Sequence, residues 1–197
     1  YNNSLVGGVI VEASCDCVIR HSTIANNSRG ALLSVSSGCT LRENIIITND
    51  VGIELVQSNS CQVISNEIAQ NRVGLLVESG SCGNTIYWNS FFYNNLNAKD
   101  NGASNAWDDG VSRGNGWSDY AYGGMYAIPG SAGSVDRFPW PATHLTDAAE
   151  LADALGILVV TITPVVLFLG FWCFRLRKGE GTTVDKARRP YRPVKCV

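Results

Sequence analysis

Hydrophobic and polar positions alternate along the first half of the chain in very short runs. In "GVIVEASCDCVIRHSTIANN", starting at Gly8, apolar residues recur every second position for three to five residues and then give way to Ser, Asn, Asp or Gly. This is the period of an extended strand with one face buried; no helical spacing competes with it. The same text returns as "GALLSVSSGCTLRENIIITN" from Gly30, "GIELVQSNSCQVISNEIAQN" from Gly52 and "GLLVESGSCGNTIYWNSFFYNN" from Gly74, a spacing of 22 residues. Cys17, Cys39 and Cys61 keep that spacing, as do Ile24, Ile46 and Ile68 and then Asn27, Asn49 and Asn71; in the fourth copy Cys82 falls one residue early, and Phe91 and Asn94 one residue late.

A 22-residue unit of short strands cannot bury its own apolar face. Stacking equivalent strands in parallel about 4.8 Å apart does so. The pattern therefore predicts an all-β protein, a right-handed parallel β-helix of about four 22-residue coils. Val9, Ala31, Ile53 and Leu75 are expected to point inward, with Val11, Leu33, Leu55 and Val77 as a second inward column. Ile24, Ile46, Ile68 and Phe91 form a third. Gly8, Gly30, Gly52 and Gly74 are read as a corner needing positive φ. Asn27, Asn49, Asn71 and Asn94 mark another corner, where amides can bond along the stack. The cysteine column, with Cys82 taken as its fourth member, can be a row of small apolar thiols or be bridged by disulfides between neighbouring coils. A linear stack without C-x-x-C pairs is a poor zinc site.

After the repeats the pattern changes. Residues 97–141 are rich in glycine and aromatics, and are read as a segment closing the end of the solenoid, with Trp107, Trp117, Asp119 and Tyr120 as its structural residues and Tyr122, Tyr126, Phe138 and Trp140 beside them. Residues 142–153 read as a linker. "ALGILVVTITPVVLFLGFWCF", residues 154–174, carries no charge and matches the thickness of a hydrocarbon core, so it is read as a single transmembrane helix. Residues 175–197 hold a net charge of +6 and the remainder −8. By the positive-inside rule the basic tail is cytoplasmic and residues 1–153 lie on the outer side. An acidic main part speaks against nucleic-acid binding. The chain opens at Tyr1 without Met or a signal pattern, and is read as the C-terminal part of a longer exported protein, with sequons at Asn2 and Asn26.

Candidate chemistry is sparse. Asp16, Glu43, Asp50, Glu54, Glu67 and Glu78 are scattered through the repeats without a converging pair, and neither the catalytic pattern of a polysaccharide lyase nor that of a hydrolase is present. Copper handling needs soft donors, and the chain offers one methionine, Met125, two histidines, His21 and His144, and the cysteine column. The clearest surface feature is aromatic. Tyr87, Trp88, Phe92 and Tyr93 fall where the earlier copies are mostly polar, and such a row suits the face of a pyranose ring. Tyr87, Trp88 and Tyr93, with the adjacent Asp108 and Asp109, are therefore the candidate ligand-binding residues; the alternative is that the aromatics cover the coil end beneath the terminal segment and that Asp108, Asp109 and Asp119 are turn and cap acceptors. No catalytic or metal residue is assigned.

Residues 1–96 resemble the parallel β-helix repeats of the NosD-like, pectin-lyase-like proteins, a superfamily of carbohydrate-binding proteins and sugar hydrolases. "NAWDDG", "GNGWSDY", "YAIPG" and "DRFPWP" resemble the ending of NosD-like surface proteins, so the likeness covers about residues 1–141. With the span, it points to a non-catalytic module held to the membrane, serving cell-surface structure or the binding of a cell-surface polysaccharide or glycoprotein. Two alternatives come with it: a polysaccharide lyase or hydrolase whose active coils lie upstream, and an accessory protein for copper-site maturation. Family members carry an acidic calcium-type loop after W-S-D-Y. Here that interval is "AYGGM", without a carboxylate, so no cofactor is expected.

Overall fold

The computed structural model describes residues 8–121 and 123–142. The expected membrane span at 154–174, the basic tail, linker residues 143–153, Asn2, Tyr122, His144, Cys173 and Cys196 lie outside the described residues. Among the described residues no helix is long and apolar enough to cross a membrane.

The chain winds as a parallel β-solenoid with three walls. The first contains Val9–Glu12, Arg29–Ser34, Val51–Val56, Val73–Val77 and Leu96–Asp100; the second Val18–Arg20, Thr40–Arg42, Gln62–Ile64 and Thr85–Tyr87. The third contains Thr23–Ala25, Ile45–Ile47, Glu67–Ala69, Ser90–Phe92, Gly116–Trp117 and Trp140–Pro141. Register follows the repeat: Ala31 faces Ile53, Leu41 faces Val63 and Ile46 faces Ile68. Ala31, Leu33, Leu41, Ile46, Ile53, Leu55, Val63, Ile68, Leu75 and Val77 are all fully buried in one continuous core. The inward columns are as the alternation requires.

The coil count is larger than the repeat suggested, about six turns rather than four. The third wall has six strands because Gly116–Trp117 pairs with Ser90–Phe92, and Trp140–Pro141 pairs with Gly116–Trp117. Leu96–Asp100, a bridge at Ala106 and Gly116–Trp117 make a fifth turn. Its period is hidden because the loop after Trp107 lengthens the step from Asn89 to Asn115, and because Trp117 replaces the isoleucine of the core column. Phe91, Trp117 and Tyr126 stack along the axis with ring centroids 4.5 and 4.2 Å apart. Tyr126 comes from a two-stranded antiparallel hairpin, Tyr126–Ala127 with Val135–Asp136.

Corners explain the polar half of the pattern. In each of the first four turns the chain enters the left-handed region four times, for example at Val35, Gly38, Glu43 and Thr48, then at Gln57, Ser60, Ser65 and Gln70. The next residue points inward every time: Ser36, Cys39, Asn44 and Asn49 in the second turn. A left-handed L-residue costs roughly 1–2 kcal/mol, and the hydrogen bonds of the residue after it offset that cost. Asn44 illustrates them: its backbone N–H and its amide both donate to Asn66 Oδ1, at 3.1 and 2.9 Å, while the amide also reaches Ile19 O at 3.0 Å. Three asparagine ladders therefore run inside the walls, through Asn44, Asn66, Asn89 and Asn115, through Asn27, Asn49, Asn71 and Asn94, and through Asn84 and Asn105.

The glycine column has a different role from the expected one. Gly30, Gly52 and Gly74 are absent from the positive-φ glycines and lie within first-wall strands. A Cβ on Gly30 would meet Gly52 O at 2.5 Å and the Asn49 amide at 2.9 Å. Close packing of the asparagine ladder against the next coil excludes a side chain; conformation does not.

Cys82 is also reassigned. The fourth copy contains one extra residue, absorbed at the Ser79–Gly80 turn, after which every position is offset by 23 rather than 22. Cys82 therefore bridges to Asn59, in the exposed column that starts at Cys15, and Asn84 takes the place next to Cys61. Cys39 and Cys61 are buried free thiols, and Cys15 and Cys82 are exposed free thiols. No disulfide joins Cys39 to Cys61.

Candidate functional site

The corner between the second and third walls is built alike in each turn, but its outward residue changes: His21, Glu43, Ser65, then Trp88. In the first two turns these side chains pair with one another, His21 Nε2 lying 2.9 Å from Glu43, which also holds Arg42 at 3.2 Å. In the fourth turn the indole of Trp88 projects outward and is 48% exposed. Trp140 lies 6.3 Å away, tilted by 53°, and the Arg113 guanidinium sits 5.1 Å from the Trp88 ring.

Local structure sets each member of this group. Gly116 and Trp140 are register partners, and the Trp140 ring occupies the space that a Cβ on Gly116 would need, at 2.5 Å. Only glycine lets the indole lie flat on the outer face of the third wall. Arg113 is presented by the 108–113 loop. Asp109 Oδ1 accepts the backbone N–H groups of Val111, Ser112 and Arg113 at 2.8, 2.8 and 2.9 Å, and these bonds hold its carboxyl below the usual range. Asp108 is buried and forked by the Arg137 side chain, which lowers its pKa. Both aspartates are thus engaged, Asp109 within the loop and Asp108 by Arg137.

The remaining candidates fall in two places. Tyr87 is half-buried on the second wall, next to the Trp88 corner. Tyr93 is 51% exposed at the opposite corner of the third wall, with Phe92 edge-on at 5.7 Å. Trp107 and Trp117 are fully buried. Their indole N–H groups donate to Asp100 at 2.8 Å and Asp136 at 2.9 Å. Asp119 accepts from Asn97 at 2.9 Å and from the Tyr126 hydroxyl at 3.0 Å. The Tyr120 hydroxyl accepts from Gly123 and donates to Gly124 O.

Sequence reasoning did not single out Arg113 for this site, and placed Trp140 in the closing segment; only the winding brings them to Trp88. It also missed how the ladders end. An asparagine rung donates toward the C-terminal side, so the last rung needs a group that only accepts. Asn115 donates its backbone N–H to Asp136 Oδ2 at 2.6 Å, Asn105 donates to Asp100 at 3.0 Å, and the ladder through Asn94 passes by Asn97 to Asp119. All three ladders end on a carboxylate.

The carboxylates of the repeats do not converge. Asp50 pairs with Arg72 at 2.5 Å and Glu54 with Arg29 at 2.6 Å. Nor do the donors among the described residues fit a resident metal. Among the described residues no three His, Cys, Asp or Glu side chains come together. Met125 is exposed, His21 is paired with Glu43, and burial pushes the Cys61 thiol up to about 11, far from the thiolate that binds copper.

Three walls of short parallel strands, amide ladders at the corners and an outer aromatic group define a parallel β-helix protein. The chain belongs to the NosD family: the family model described as "Periplasmic copper-binding protein (NosD)" matches residues 1–122. No curated protein and no solved structure matches the chain.

Proposed function

We propose that this chain is a non-catalytic, membrane-anchored module on the outer side of the cell membrane, recognising a surface polysaccharide or glycoprotein through Trp88, Trp140 and Tyr87. The supporting observation is the exposed indole of Trp88, fixed at a left-handed corner, with Trp140 6.3 Å away and Arg113 over its ring. Rigid aromatic faces lose little entropy on binding and suit the C–H faces of pyranoses. The solenoid holds them without needing their burial, as the polar residues at the same corner in other turns indicate. A glycan array probed with the whole protein and with Trp88→Ala tests the reading. Binding by the wild type that the variant loses, with an unchanged unfolding midpoint, is expected; a wild type that binds no glycan refutes it.

The family's description favours a second reading, a role in copper handling. The donors among the described residues weigh against a resident ion, so this reading needs copper as passing cargo. Titration of the whole protein with Cu(I) tests it: tight stoichiometric binding would support it over glycan recognition.

A further inference from the structure

Glu67 is the one carboxylate of the outer third wall, and its position is unexplained by folding. Ile68, Phe91 and Trp117 point into the core, so their strand neighbours Glu67, Ser90 and Gly116 point outward in one column. Glu67 is in register with Ser90, and Ser90 with Gly116, over which the Trp140 ring lies. Trp88 precedes Ser90 by two residues on the same rung. With rungs about 4.8 Å apart, Glu67 borders the Trp88–Trp140 pair across Ser90.

The carboxylate of Glu67 is half-buried, and no hydrogen bond or ion pair to it is found among the described residues. Burial raises its pKa, and nothing pulls it back. Asp50, Glu54 and Asp108 each pair with an arginine, and Asp109 accepts three backbone N–H groups. A carboxylate held partly out of water without such a partner lowers stability, and is the kind of group retained for a ligand.

Resting on the glycan reading above, we propose that Glu67, aided by Ser90, is the hydrogen-bonding side of the aromatic site and accepts from adjacent hydroxyls of an uncharged hexopyranose stacked on Trp88 and Trp140. A carboxylate with free lone pairs accepts two hydroxyl protons at once, and its charge strengthens both bonds.

Cellohexaose, maltohexaose and mannohexaose serve as uncharged probes, titrated calorimetrically into the full chain as wild type, Glu67→Gln, Ser90→Ala and Trp88→Ala. At least one probe is expected to bind the wild type. Glu67→Gln should then weaken it at least tenfold while raising the melting temperature at neutral pH, because it removes an unpaired, half-buried charge. Ser90→Ala should weaken it less. A merely structural Glu67 would not give opposite changes in affinity and stability. If Glu67→Gln binds within twofold of wild type while Trp88→Ala has lost binding, the role of Glu67 is refuted and the aromatic site stands. If no probe and no array glycan binds the wild type, the glycan reading itself is wrong and this inference falls with it.

Discussion

The second and third turns and the fifth turn are wound on the same plan, yet they close their corners differently. In the third turn Asn66 gives its backbone N–H and its amide to Asn89 and receives the same two bonds from Asn44. In the fifth, Asn115 has no asparagine beyond it and gives its N–H to Asp136 instead. The difference teaches that the ladder has a direction. Every interior rung both accepts and donates, so it can be repeated indefinitely, whereas a rung that only accepts ends the series. The same substitution of carboxylate for amide is made at Asp100 and Asp119, on the other two ladders.

The sharpest way to break this comparison is inside the ladder. Asn66→Ala leaves the Asn44 N–H in the core without its acceptor and takes an amide bond from Leu41 O; it should cost about 2–4 kcal/mol, counting about 1–3 for the orphaned group and about 1 for the lost bond, read from denaturant unfolding. At the end of the ladder, Asp136→Asn keeps the shape but sets an amide against donors from Asn115, Trp117 and Phe138. It should cost about 2 kcal/mol. If Asp136→Asn were neutral, the acceptor-only requirement would be wrong. The smallest effect concerns Asp108, whose carboxyl the Arg137 guanidinium holds low. A depressed folded pKa gives stability that is present above the unfolded value, about 3.9, and is lost as pH falls through the folded value. Wild type should exceed Asp108→Asn at pH 7, and the gap should close below about pH 4. Asp136, whose pKa burial raises, runs the other way, its contribution falling as pH rises through the folded value.

Much of this fold is legible in the sequence, because repetition makes each position testify several times. The inward columns and the asparagine ladder through Asn49 and Asn71 are readable for that reason. The errors arise where one copy differs from the rest. A single extra residue at Ser79–Gly80 shifts Cys82 out of the column it seemed to join. The fifth turn is invisible because Trp107 and Trp117 stand where the others have Val63 and Ile68. A conserved spacing also shows that glycine is required without showing why: Gly30 is needed for clearance, and a letter string cannot distinguish clearance from torsion. The candidate site is half legible. Trp88 declares itself by replacing polar residues at its corner, whereas Arg113 and Trp140 reach it through a loop and a register that only the winding defines.

The extra residue at Ser79–Gly80 has a wider meaning. The strands on either side keep their partners, Val77 with Leu55 and Thr85 with Gln62, so the added length is taken up locally and nothing downstream is sheared. That corner works as an expansion joint. A solenoid with such a joint can gain whole surface loops at one edge by small insertions while its interior stays unchanged, which separates the evolution of what it presents from the evolution of what holds it up.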